Sequence, residues 1–152
     1  MIRKIINSKV FRWLMVSLYA GLIFLGSSMS MGTGGASDTP GSFYIIYKDP
    51  INACAHFIEY GLLCILLCWA ISAHLKAHRT RKLIFIAIIL ASLYGIAMEV
   101  HQLFVPARTG AVFDWLTDAA GAAIAGLCWL ILFPAWKRRV KNRKLRVKRQ
   151  GS

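Results

Sequence analysis

The stretch Met98–Gly121 reads M-E-V-H-Q-L-F-V-P-A-R-T-G-A-V-F-D-W-L-T-D-A-A-G. It decides the fold because it is a polar hairpin set between two strongly apolar runs. Glu99, His101, Gln102, Arg108, Asp114 and Asp118 crowd into it, although the chain has only 6 acidic residues in 152. Ionisable groups beside long apolar segments are costly in lipid, and those retained mark a functional site by default.

On either side of the hairpin the sequence turns apolar. Four runs, at 13–31, 51–72, 83–104 and 113–136, are each close to the ~20 residues that cross ~30 Å of hydrocarbon at ~1.5 Å per residue. The chain is 57% hydrophobic with a mean hydropathy of +0.55. That excludes an ordinary soluble domain. Backbone groups in lipid must be satisfied within the segment, and the alternation of a membrane barrel is absent. The expected architecture is therefore an all-α bundle of four transmembrane helices, forming one domain over residues 1–152. The first run has a basic segment before it, as a signal peptide would. Ser28-Met29-Ser30 loosely resembles a small-x-small cleavage site with a bulky Met at its middle, but the run continues to Met31, so it reads as a retained span.

Charge gives the expected orientation. Basic residues cluster before the first run (Arg3, Lys4, Lys9, Arg12), between the second and third (Lys76, Arg79, Arg81, Lys82) and after the fourth, in the tail 137–152. Only Lys48 and Arg108 fall in the other two connections. The positive-inside rule then predicts N-in, C-in. The basic tail follows a span directly and lacks interleaved aromatics. It reads as a contact with anionic lipid rather than with nucleic acid.

The acids segregate toward the opposite side. Asp38 and Asp49 fall in the first outer connection, and Asp114 and Asp118 open the fourth span. Glu99 lies ~8 Å and Glu59 ~12 Å from the outer ends of their spans by helical rise. The expected site therefore faces outward.

Spacing groups the candidates. His56, Glu59 and Tyr60 share one face of the second span at i, i+3 and i+4. Glu99 and Gln102 are neighbours on the third, with His101 turned ~160° away from Glu99 at ~100° per residue. Asp114 and Asp118 stand one turn apart on the fourth, where the positive helix terminus favours carboxylates. Gly121 and Ala125 continue that stripe as a small-x-x-x-small groove, which lets a neighbouring helix approach closely. Asp118 is accordingly expected to point into the bundle. Arg108, in the turn P-A-R-T-G, can grip a carboxylate or phosphate, or pair with Asp114, Asp118 or Glu99. Lys48, His74 and His78 read as solvated loop groups.

Cys54, Cys64, Cys68 and Cys128 read as small core hydrophobes, without a disulfide or zinc-knuckle spacing. E-V-H-Q lacks the paired histidines of a zinc helix, so neither a metal nor a cofactor is expected. A site assembled in three dimensions from His56, Glu59, Glu99 and Asp118 is the lesser alternative.

Three segments, A-H-F-I-E-Y at 55–60, E-V-H-Q-L-F-V-P-A-R-T-G at 99–110 and D-W-L-T-D-A-A-G at 114–121, resemble the VanZ-like family of bacterial integral membrane proteins. Their order, spacing and position agree with that family over nearly all of the chain beyond the first span. The chain has Ala53 where many relatives have a basic residue, Met98 where many have Asp, and P-A-R where P-G-R is usual. The resemblance implies a multi-pass protein of the cytoplasmic (inner) membrane linked to teicoplanin-type glycopeptide resistance and the cell envelope. Under it, a lipid-linked or cell-wall precursor is the expected ligand beside the membrane lipids. An intramembrane enzyme acting on a headgroup, a small transporter and a purely structural polar network are the competing readings. The oligomeric state is left open.

Overall fold

The computed structural model describes residues 8–28, 50–74, 80–105 and 112–150. Four helices follow in chain order: α1 (Lys9–Ser28), α2 (Pro50–Ile71), α3 (Thr80–Gln102) and α4 (Val112–Gln150). Each contains a window long and apolar enough to cross a membrane. Proline opens α2, where its missing N–H and fixed φ cost nothing. Ser8 caps α1 by accepting a hydrogen bond from the Phe11 N–H at 3.1 Å.

Helices α2, α3 and α4 pack mutually, with α2 against α4 the most extensive contact. Helix α1 lies against α2 and touches α3 more lightly. The core is a narrow column of Tyr60, Leu63, Cys64, Leu67, Ala87 and Ala91. The outer surface is as apolar as the core. Leu14, Leu18 and Leu22 on α1, Phe85 and Leu93 on α3, and Leu127 and Ile131 on α4 are all exposed. In water such a surface would be an unmet apolar patch, whereas in lipid it is the ordinary solvent-facing side.

Small residues set the helix spacing. A methyl group on Gly121 would collide with the carbonyl oxygen of Phe57 and stand 2.9 Å from its carbon. Gly61 answers from α2, its would-be Cβ 3.4 Å from the Gly121 oxygen and 3.6 Å from the Ala125 Cβ. The expected groove of Gly121 and Ala125 is thus filled by the α2 backbone itself. On α3, Ala87, Ala91 and Gly95 form a buried stripe at four-residue spacing.

Several helix limits differ from the hydropathy reading, and α1 already starts at Lys9, ahead of position 13. Helix α3 starts at Thr80 and takes in Arg81 and Lys82. Helix α4 runs for 39 residues, through Pro134 and the basic segment. Lys, Arg and Leu are strong helix formers, so charge ends the apolar run without ending the helix. At the end opposite the Met98–Gly121 hairpin, Arg12 ties α1 to α2. Its guanidinium donates to the Trp69 carbonyl at 2.8 Å and the Ser72 hydroxyl at 3.1 Å, and lies 5.0 Å from the Trp69 ring centroid. His74 is exposed, as expected, but it also accepts from Trp13 Nε1 at 3.1 Å. Lys48, His78, Pro106 and Arg108 lie outside the described residues.

Candidate functional site

Polar side chains gather at one end of the bundle, where α1 and α3 finish and α2 and α4 begin. His56 and Asp118 each stand six residues from the start of their helices, ~9 Å along the axis, and Glu99 stands three from the end of α3, ~4.5 Å. Helices α2 and α4 run parallel and put His56 and Asp118 at one level, and α3, antiparallel to both, brings Glu99 close to them.

The centre is a contact between α2 and α4. His56 Nδ1 lies 3.0 Å from Asp118 Oδ1, with the Asp118 side chain 0% exposed and His56 12%. A lone carboxylate at that depth would be costly, and the imidazole offsets the loss of water. Whichever group carries it, one proton lies between Nδ1 and Oδ1, leaving Nε2 for another partner. The second oxygen, Asp118 Oδ2, is buried and has no hydrogen-bond partner among the described residues. Gly95 makes room for it: a Cβ there would stand 3.1 Å from Oδ2 and 3.3 Å from Tyr60 Cε1. Tyr60 is itself buried and lies parallel to the His56 ring, 6.4 Å between centroids. Glu99 completes the cluster from α3. His56, Glu99 and Asp118 each offer a ligand atom within 4.8 Å of the other two.

Beside this cluster lies a partly open cavity of about 140 Å³, whose walls include Ser27, His56, Glu59, Tyr60, Met98 and Gln102. Gln102 is buried and does not turn to Glu99. Its Nε2 donates to Ser27 Oγ on α1 at 3.0 Å. His101 also faces α1, meeting Ser28 Oγ at 3.0 Å with its ring tilted 34° to that of Phe24 at 4.6 Å between centroids. Tyr19 and Tyr94 donate to the backbone carbonyls of Glu59 at 3.3 Å and Ala20 at 2.7 Å.

Of the residues expected from the sequence, His56, Tyr60, Glu99 and Asp118 meet at the cluster, and Glu59 and Gln102 join through the cavity. Asp114 is half-buried one turn nearer the start of α4 and outside the three-residue cluster. Arg108 is outside the described residues. The sequence reading missed Ser27, Gly61 and Gly95. The small-residue stripe ending at Gly95 and the spacing of Gly61 against Phe57 were the available signals for the glycines. Ser27 carried none, since a serine near a helix end is ordinary.

Neither the curated proteins nor the solved structures include a match to this chain. A family model described as VanZ/LLP1 matches residues 10–133, which take in the apolar part of each of the four helices and every member of the cluster. The chain belongs to that family. It is a multi-pass integral membrane protein of the bacterial inner membrane.

Proposed function

We propose that this VanZ/LLP1-family protein acts as one membrane domain, oriented N-in and C-in, that binds the polar part of an envelope lipid or lipid-linked cell-wall precursor at its outer end. The observation that carries the reading is the cavity beside Ser27, His56, Glu59 and Gln102 in an otherwise apolar bundle. At about 140 Å³ it is well below the ~300–1,000 Å³ of a site for a drug-sized molecule. It suits a headgroup fragment whose acyl or polyprenyl chain stays in the bilayer, and a whole glycopeptide does not fit. Donors from His56, Gln102 and Ser27 would hold the fragment's oxygens. Arg108, in the sequence between α3 and α4, would grip a phosphate or carboxylate as a bidentate fork.

Through that ligand the protein would alter susceptibility to teicoplanin-type antibiotics, the property its family resemblance implies. Deleting the gene should change teicoplanin susceptibility at least 4-fold and shift lipid-linked precursor pools. Complementation with Glu59→Gln or Arg108→Ala should restore neither. A deletion that leaves both readouts unchanged counts against the proposal. Fluorescence from a C-terminal cytoplasmic-only reporter should accompany the N-in, C-in orientation.

A second reading is favoured by the His56–Asp118 contact. An imidazole oriented by a buried carboxylate is a general base in many hydrolases. An intramembrane enzyme acting on a headgroup would use His56 to activate water or a hydroxyl. Reconstituted protein should then turn over polyprenyl-phosphate or phospholipid substrates, with His56→Gln slower by about 10²–10⁴. No turnover of either substrate class would leave binding as the function.

A further inference from the structure

We propose that His56, Glu99 and Asp118 form a binding site for one divalent cation of the zinc class. The proposal stands on the cluster's geometry and does not depend on the headgroup reading. The three ligands come from three helices, α2, α3 and α4, and their donor atoms lie within 4.8 Å of one another. Around a tetrahedral ion with bonds of ~2.0–2.2 Å, donor atoms stand about 3.3–3.6 Å apart. His56 Nδ1 and Asp118 Oδ1, at 3.0 Å, are already near that spacing. Replacing the shared proton by a cation asks for a few tenths of an ångström there and a side-chain rotation at Glu99.

Asp118 Oδ2 gives an independent reason. It is aimed into the bundle from a side chain with no exposure, and it accepts no hydrogen bond among the described residues. A carboxylate with one satisfied oxygen is half-compensated, and a cation would draw on the charge of both.

Donor chemistry selects the ion. Magnesium and calcium favour all-oxygen shells with six or more ligands, and an imidazole among three protein donors suits zinc better. Three protein ligands also leave a fourth position open. His56 belongs to both the cluster and the cavity wall, so the site lies beside the cavity.

The full chain, purified with a tag free of histidine, should be stripped with chelator, reloaded with Zn²⁺ or Co²⁺ in nanodiscs and freed of excess ion. Elemental analysis should return one zinc per chain, and the cobalt form should give the intense visible absorption of a four-coordinate ion. His56→Gln and Asp118→Asn should each weaken binding at least 10-fold, while His74→Gln leaves it unchanged. Zinc at the chelator-stripped background in the wild-type protein overturns the proposal. So does binding that survives His56→Gln and Asp118→Asn equally well. If Asp118→Asn fails to fold, Glu99→Gln and the wild-type cobalt spectrum decide. Lipid retention measured on the same samples reports the headgroup reading separately, since either can fail alone.

Discussion

The seam between α2 and α4 and the seam between α1 and α3 are built differently. In the first, backbone meets backbone: Gly121 lies on the Phe57 carbonyl and Gly61 on the Gly121 oxygen. In the second, side chains reach across. Gln102 meets Ser27, His101 meets Ser28 and Tyr94 meets the Ala20 carbonyl. A glycine seam has no tolerance in distance, because nothing flexible separates the helices. A seam of single hydrogen bonds can lengthen or exchange partners at modest cost. The cavity lies between the two kinds of wall. Its His56 side is fixed by α4, and its Ser27 side is held by replaceable contacts.

That contrast predicts a ranking of stabilities, measurable by denaturant titration in mixed micelles or bicelles. Gly121→Ala should cost about 3 kcal/mol, the upper end of the range for overpacking, because the obstacle is backbone that cannot turn aside. A cost below about 0.5 kcal/mol would mean that α2 and α4 are not in this contact. The His56–Asp118 pair crosses the rigid seam. A double-mutant cycle with His56→Ala and Asp118→Ala should give a coupling of about 1.5 kcal/mol, near the maximum for interhelical hydrogen bonds in membranes. On the softer seam, the Ser27→Ala and Gln102→Leu cycle should give about 0.6 kcal/mol, the membrane average. A value equal to the His56–Asp118 coupling would erase the distinction between the walls. Gly21→Ala on α1 should cost nothing and raise stability by up to about 1 kcal/mol through helix propensity, since among the described residues no atom of another helix lies within 4 Å of the new methyl.

The same contrast explains what could be read from the sequence. Hydropathy and length located the four spans, because lipid imposes one length and one chemistry on each. The stripe of Asp118, Gly121 and Ala125 could be read as an inward face because polar and small residues are both disfavoured toward lipid. Partners across helices were another matter. Gln102 is three residues from Glu99 and suggested a local pair, yet a serine 75 residues earlier is its partner. Spacing reports neighbours on one helix and is silent about which helix comes alongside. The end of α4 was misplaced for a different reason: the apolar run stops near Trp136, while helix propensity continues through the basic segment.

The burial of Asp118 has a consequence for how the protein is made. Asp118 belongs to the last of the four helices to leave the ribosome, and both His56 and Glu99 are synthesised before it. An aspartate in an inserting helix raises the cost of entering the bilayer by up to about 3 kcal/mol, depending on depth. Helix α4 also carries a second acid, Asp114, one turn away. Its insertion is therefore the step most in need of help, and that help is in place beforehand as an imidazole on α2. The polar cluster closes only when the final helix docks, so loss of His56 should appear first as poor membrane integration of newly made chains.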